Sequence, residues 1–435
     1  MITKIAWKNI WFKPLNTALS IILLTASVAI ITLLFLLEEQ FEKKFSDNID
    51  GIDIVLGAQG SPLQLILSSV YQVDAPTGNI DYTEAKKWMK HPFVESAIPL
   101  AFGDNYRGFR IVGTTPEYLT KYGAALKDGK VFVNNFDVVL GSAIAQKMNM
   151  KVGDKFFGSH GDAAEGEVHD HQAYTVTGIA TPTGKVVDNL ILCNIQSVWA
   201  MHDHEHEEGA EAEEHDHDHE AAADAHDHED HDHNHAEKAH DHEHEENAVI
   251  SEEGKEITAV LVKFRSKMGI VTWPRIIAQN TKMQAASPAI EINRLFALFG
   301  IGLDALRYLA IGIMIISGIS IFIALYNTLK ERKYEFALLR VNGASRLQLL
   351  SLVLIESLLL CVTGFIFGTI VGRVALLFIS GSSEDEFKMS FNPFQFVWEK
   401  EGYLFLLTIF VGILAAVIPA VKAYSLNISK TLANA

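Results

Sequence analysis

Apolar positions in this chain collect in long blocks separated by polar stretches. An uncharged run from Pro14 to Leu37 follows Lys4, Lys8 and Lys13. At about 1.5 Å per residue this run can cross a hydrocarbon core of roughly 30 Å. Three further blocks lie at about 306–326, 349–379 and 403–422; the second of them carries Glu356 and Arg373, and the last has Pro419 near its end. The pattern predicts four transmembrane helices, one followed by three.

The basic front also suits a signal peptide. The apolar region of a signal peptide is normally only about 7–15 residues long and ends in a small-residue cleavage site. This run is longer and no Ala-x-Ala site closes it, so it reads as an uncleaved anchor. Residues 3–13 form either a short interfacial helix, with Ile5, Ile10 and Trp11 against lipid, or an ordinary basic flank. Glu356 and Arg373 stand about 25 Å apart along one helix and cannot pair within it. Each is expected near an interface or against another helix. Gly364, Gly368 and Gly372 recur at every fourth position and make a helix-packing stripe, used within the protomer or across a dimer.

Charge sets the topology. Between the second and third blocks, Lys330, Arg332, Lys333, Arg340 and Arg346 outweigh Glu331 and Glu335, whereas Glu384, Asp385 and Glu386 face Lys388 after the third block. The positive-inside rule then puts both termini and the basic loop in the cytoplasm and the large 38–305 region outside.

Inside 38–305 the periodicity switches between short strands and short helices. Residues 38–49 continue a helix out of the bilayer. Ile52, Ile54 and Leu56 alternate as in a half-buried strand that Gly57 and Gly60 break. Thr83 to Lys90 reads as a helix with Thr83 as its cap, and Ser142 to Met148 as another. Strands are expected at Phe109, Val138, Tyr174, Leu190–Ile195 and Ala259–Phe264. The fold class is therefore α+β outside the membrane, joined to four transmembrane helices. The domain reading is 1–37, 38–305 and 306–435, with a cytoplasmic loop at 327–348.

Composition adds one feature. The net charge of −17 is the property of an insert, because 20 acidic residues and one Lys lie between His202 and Glu246 and the remainder carries about +2. There is no broad basic face, and hence no expectation of nucleic acid. Cys193 and Cys361 are too few and too scattered for a disulfide framework and read as buried thiols.

The insert holds fourteen of the eighteen histidines: His202, His204, His206, His215, His217, His219, His226, His228, His231, His233, His235, His240, His242 and His244. It has no apolar residue larger than Ala, so it cannot build a core and is expected to be a disordered loop. Neutral imidazoles beside carboxylates suit Zn²⁺ or another divalent transition metal, at many weak sites rather than one. Ni²⁺, Cu²⁺ and Zn²⁺ are equally served, and a solvated spacer is the bland alternative. His160, His169 and His171 form a smaller cluster near it, and whether they join the metal-binding region is open.

Catalytic signatures are missing. Gly57-Ala-Gln-Gly60 lacks the phosphate-loop pattern, no other stretch supplies it, and neither GxSxG nor HExxH occurs. Gly141-Ser142 sits between ordinary strand and helix residues. No catalytic residue and no core cofactor is expected, and ATP hydrolysis is expected only in another subunit.

Four stretches carry a resemblance. They are Ile5-Ala-Trp-Lys-Asn-Ile; Val138-Val-Leu-Gly-Ser-Ala with Lys151-Val-Gly-Asp; Tyr174-Thr-Val-Thr-Gly-Ile-Ala; and, most specifically, the run from Lys330 to Arg346. In that run Glu335, Leu339, Arg340, Gly343 and Ala344 match a Glu-Ile-apolar-x-Leu-Arg-x-x-Gly-Ala form, with Phe336 replacing Ile. The chain resembles the FtsX/MacB-like family of ABC transporter permeases over nearly its whole length except about 202–246.

The resemblance implies a non-catalytic permease of the bacterial inner membrane, acting as a dimer with cytoplasmic ABC ATPase subunits. Mechanotransmission would move the periplasmic domain to work on a lipoprotein, peptide or partner such as a periplasmic adaptor. Glu335, Leu339, Arg340, Gly343, Ala344 and Ser345 become the ATPase-coupling residues. The residues themselves favour a short helix over Tyr334–Arg340 with Phe336 and Leu339 on its apolar face, a turn at Asn342-Gly343, and Ser345 as the next helix cap. The rival readings are a stand-alone metal-binding sensor or scaffold, which would need no ATPase, and a metal ion exporter, which would need ligands clustered at the bilayer midplane.

Overall fold

The computed structural model describes Ala6 and residues 14–159, 168–201, 251–387 and 391–425. The lysines of the N-terminal flank, the 3–13 element apart from Ala6, His160 and the histidine-rich tract lie outside the described residues. Two compact units emerge, one of Lys44–Arg294 and one of Met1–Lys43 with Leu295–Ala435.

In chain order the elements are α1 (Pro14–Ile49), β1 (Ile54–Ala58), α2 (Pro62–Ser69), β2 (Ile80–Asp81), α3 (Tyr82–Met89), β3 (Val94–Tyr106), β4 (Phe109–Thr114), α4 (Glu117–Tyr122), β5 (Leu126–Gly129), β6 (Asp137–Leu140) and α5 (Ser142–Met148). They continue with β7 (Lys155–Ser159), β8 (Val168–Ala180), β9 (Ile191–Asn194), β10 (Glu256–Ile257), β11 (Ala259–Phe264), α6 (Met268–Asn280) and β12 (Met283–Ala286). Then come α7 (Pro288–Glu331), α8 (Lys333–Val341), α9 (Arg346–Phe387) and α10 (Trp398–Tyr424).

The 44–294 unit is α+β. Ten strands form one mixed sheet in the order β12-β1-β11-β3-β4-β9-β6-β8-β5, with β7 bridging β3 and β8; β2 and β10 pair separately. Only β4/β9 and β6/β8 are parallel among the described pairs. The core gathers Leu56, Val262, Trp273, Ile111, Leu140, Tyr174 and Cys193. Burial pushes the Cys193 thiol up to about 12, which leaves it protonated and inert as a nucleophile or metal ligand.

Two local readings change. β1 is not half-buried: Ile54 and Leu56 face the core cluster, and α2 lies against the other face, where Leu65 meets Gly57, so Val55 is buried as well. The cap of α3 is Asp81, whose Oδ1 accepts from the Glu84 backbone N–H at 2.7 Å, and Thr83 falls inside the helix. An aspartate two residues upstream supplies the stronger cap.

The other unit contains four membrane-length apolar helices in a one-plus-three pattern. α7 is much longer than the 306–326 block. It starts at Pro288, a residue suited to the first helical turn. Serines join α1 to α7: Ser20 and Ser320 hydroxyls lie 2.9 Å apart, and the Ser27 hydroxyl donates to the Ala310 carbonyl at 2.7 Å. Ser357 of α9 donates to the Gly412 carbonyl of α10 at 2.7 Å. Such bonds replace those that lipid cannot supply.

Candidate functional site

The segment between α7 and α9 is built from two helix caps placed back to back. α8 ends in a left-handed residue, Gly343, at φ +94°. The Ala344 N–H donates to the Leu339 carbonyl at 2.9 Å, and the Gly343 N–H donates to the Arg340 carbonyl at 3.1 Å. This pair of bonds is the Schellman motif, which satisfies the last carbonyls of a helix. The next residue starts the opposite device. Ser345 Oγ accepts from the Gln348 N–H at 3.2 Å, while the Ser345 N–H donates to Gln348 Oε1 at 2.7 Å, a capping box opening α9.

Arg340 reinforces the turn, its Nη1 donating to the Ala344 carbonyl at 2.9 Å. One face of α8 packs on the transmembrane bundle: Phe336 and Ala337 are buried in a cluster with Leu329, Leu349, Leu352, Ala420 and Ala423, and Leu339 packs against it. Glu335 is on the exposed side and pairs with Arg332, with Nε to Oε2 at 2.6 Å. The structure therefore brings Leu339, Arg340, Gly343, Ala344 and Ser345 together in one turn and leaves Glu335 outside it.

Nearby contacts tie the ends of the helices. Lys422 Nζ of α10 donates to the Tyr326 hydroxyl of α7 at 2.9 Å and sits over its ring at 4.5 Å. Arg346 at the start of α9 lies 5.9 Å from the Tyr424 ring.

The glycine stripe of α9 faces α1 of the same protomer. A Cβ on Gly364 would come 2.6 Å from Leu24 Cδ2, on Gly368 2.5 Å from Val28 Cβ, and on Gly372 2.8 Å from the Ala29 carbonyl. The first and third spans thus approach more closely than any side chain there would permit.

Arg373 and Glu356 find different surroundings. Arg373 pairs with Glu401 of α10 at 2.7 Å and stacks over Phe396 at 4.6 Å. Glu356 is buried. Further polar links lie around the Arg373 pair: Glu38 with Arg307 at 2.7 Å, Glu39 with Lys400 at 2.9 Å, and the Gln40 amide, which exchanges two hydrogen bonds with the Asn392 backbone at 2.9 and 2.7 Å. Together they form a collar binding α1 to α7, to α10 and to the segment before α10. Sequence reasoning missed Glu401, which lies just ahead of the apolar block; the unpaired look of Arg373 was the available signal.

His169 and His171 lie on β8. Among the described residues no group of three or more His, Cys, Asp or Glu side chains is placed to hold a metal ion.

One span, an α+β domain and three further spans with a compact basic elbow between the first two of these define an ABC-type permease architecture. Residues 308–428 match the model of the FtsX-like permease C-terminal family, and residues 17–226 match that of the MacB-like periplasmic core domain. The chain belongs to the FtsX/MacB-like family of ABC transporter permeases. It is similar to the periplasmic region of MacB from Actinobacillus actinomycetemcomitans, at 11% identity over 58% of this chain and 97% of that one, with a TM-score of 0.34. It is also similar to the extracellular domain of the ABC-type transporter YknZ from Gram-positive bacteria, at 10% identity over 54% of this chain and 99% of that one, with a TM-score of 0.30. No curated protein matches.

The chain is accordingly a multi-pass inner-membrane protein with a large extracytoplasmic domain. It is a permease without ATPase activity of its own, and family membership implies a cytoplasmic ATPase subunit as partner.

Proposed function

We propose that this chain works as a homodimer that converts ATP hydrolysis by its cytoplasmic ATPase into movement of the extracytoplasmic domain. The work is done on an envelope substrate or partner, such as a lipoprotein or a periplasmic adaptor, rather than on a solute crossing the bilayer. Glu335, Leu339, Arg340, Gly343, Ala344 and Ser345 serve this coupling. The observation that carries the reading is the double cap between Leu339 and Gln348. A turn with its backbone groups satisfied on both sides passes a displacement from α8 to α9 instead of absorbing it.

The histidine-rich tract adds a metal-linked layer. Its fourteen imidazoles and twenty carboxylates suit weak, exchangeable binding of Zn²⁺ or another divalent transition metal, for sensing, buffering or transfer. Calorimetric titration of the full chain with Zn²⁺, with and without residues 202–246, tests this layer alone. Equal heats from both proteins would remove it.

Movement and dimerisation are tested by spin-labelling Val133→Cys, an exposed position, since native Cys193 and Cys361 are buried. In nanodiscs with the ATPase present, a homodimer gives one inter-label distance that shifts on ATP and vanadate. No inter-label distance would refute the homodimer, and a distance indifferent to ATP would refute the mechanical reading.

A further inference from the structure

The connection from α9 to α10 exposes its aromatic side chains. Phe394 is 80% exposed, Trp398 79% and Phe396 54%, and the rings of Phe396 and Trp398 lie 4.9 Å apart. Its polar backbone, by contrast, is turned onto protein. The Phe391 N–H donates to Ser380 Oγ at 2.7 Å, and the Asn392 N–H and carbonyl are both held by the Gln40 amide. The Phe394 N–H donates to Asn392 Oδ1 at 2.9 Å, and the Gln395 carbonyl accepts from Arg373 Nη2 at 3.4 Å. Pro393 has no N–H to satisfy. A loop in water can leave such groups to solvent, whereas irregular backbone at membrane depth must find its partners in protein.

Depth along the flanking helices agrees. Gln40 lies three residues beyond Leu37, where the uncharged run of α1 ends, a rise of about 4.5 Å. Trp398 lies five residues ahead of Tyr403, where the apolar block of α10 begins, a rise of about 7.5 Å. Headgroups fill roughly 5–8 Å on each side of the hydrocarbon core.

We infer that residues 391–398 lie in the headgroup layer of the outer leaflet, with Phe394, Phe396 and Trp398 inserted among phospholipids as an anchor for the outer ends of α9 and α10. The occupant of the aromatic face is phospholipid. Trp398 heads a face of α10 that continues through Phe405, Leu406 and Ile413, seven, eight and fifteen residues further on and all exposed within the span. The aromatic face is thus continuous with a surface that already meets acyl chains. Tryptophan at such a junction keeps its ring in an apolar layer and its N–H within reach of polar headgroup atoms. The anchor depends on the four spans alone and not on any role of the ATPase.

The test uses the full chain in nanodiscs of phosphatidylethanolamine and phosphatidylglycerol. A nitroxide is placed at Phe394→Cys and, in a second protein, at Val133→Cys, an exposed position of the extracytoplasmic domain; native Cys193 and Cys361 are buried. The Phe394 label should collide more with dissolved oxygen and less with a water-soluble nickel chelate than the Val133 label. Equal access of the chelate to both labels would put the segment in water and overturn the inference. A Phe394 label shielded from both reagents would mean that a protein surface covers the segment, which overturns it as well. Trp398→Phe keeps an apolar ring and should keep the melting temperature. With brominated phospholipid in the nanodisc, this variant should lose part of the tryptophan emission that the lipid quenches in the wild type. An unchanged quenched emission would show that Trp398 does not touch lipid and would likewise sink the anchor.

Discussion

Arg373 and Glu401 form a 2.7 Å ion pair between α9 and α10 in which the two side chains are only 15 and 6% exposed. Removing one partner leaves a charge with little water around it, which typically costs about 3–5 kcal/mol, whereas replacing both by apolar residues is often neutral. Arg373→Met should therefore lower the apparent melting temperature in nanodiscs markedly, and the double variant Arg373→Met with Glu401→Leu should recover most of the loss. Equal losses in the single and double variants would show that packing, not charge, holds the two helices there.

The glycine stripe gives a steric prediction. Gly368→Val would place a Cβ 2.5 Å from Val28 Cβ, so α1 and α9 must part. Overpacking of this kind costs about 1–3 kcal/mol. Gly312→Val on α7, which meets nothing within 4 Å, is the control and should leave the melting temperature nearly unchanged. The two variants melting together would contradict the close approach.

The elbow gives a conformational one. Gly343 at φ +94° holds a backbone shape that costs a residue with a Cβ about 1–2 kcal/mol. Ser345→Ala removes a cap worth about 1 kcal/mol. Both variants should speed hydrogen exchange at the amides of residues 339–348. Gln348→Ala should resemble Ser345→Ala more than Gly343→Ala, because it loses the same capping box. Unchanged exchange in Ser345→Ala would argue against the box.

A pH dependence follows from Lys121. Burial, and secondarily Lys185, bring its pKa down to about 7, against an opposing pull from Asp50. Its Nζ donates to the Asn48 carbonyl at 2.9 Å and lies 3.6 Å from the centre of the Tyr122 ring. Between about pH 7 and the ordinary lysine value the unfolded chain binds the extra proton, so this group makes stability rise with pH across that range. Below pH 7 the cost of the buried charge is fully present. The apparent melting temperature of the full chain should climb between about pH 7 and 9.5, and Lys121→Met should flatten that climb. An unaltered slope in the variant would assign the effect elsewhere.

Residue patterns carried the coarse architecture well because long apolar blocks and short α+β elements leave strong local signals. α5 covers Ser142–Met148 and β11 covers Ala259–Phe264, the residues their patterns mark. Non-local neighbours decided the rest. Val55 is buried because α2 lies against the face of β1 that Ile54 and Leu56 do not use, a fact of tertiary packing and not of alternation. α7 extends to Pro288 because helix formation continues through Asp304, which breaks a hydropathy block but not a helix. In the elbow, the turn and the Ser345 cap were legible, since Asn-Gly and Ser are local signals. The bonds from Ala344 to Leu339 and from Arg340 to Ala344 were not.

The adjacency of Ala344 and Ser345 leaves the elbow no slack in length. Ala344 closes one helix and Ser345 opens the next, so the joint has zero spare residues. A single inserted residue must either break a cap or turn α9 by about 100° about its axis. That rotation would swing Gly364, Gly368 and Gly372 off Leu24, Val28 and Ala29 and bring full side chains against α1 instead. Residue count at this joint is thus tied to which side of the third span meets the first, and a length change there should be tolerated less well than most substitutions.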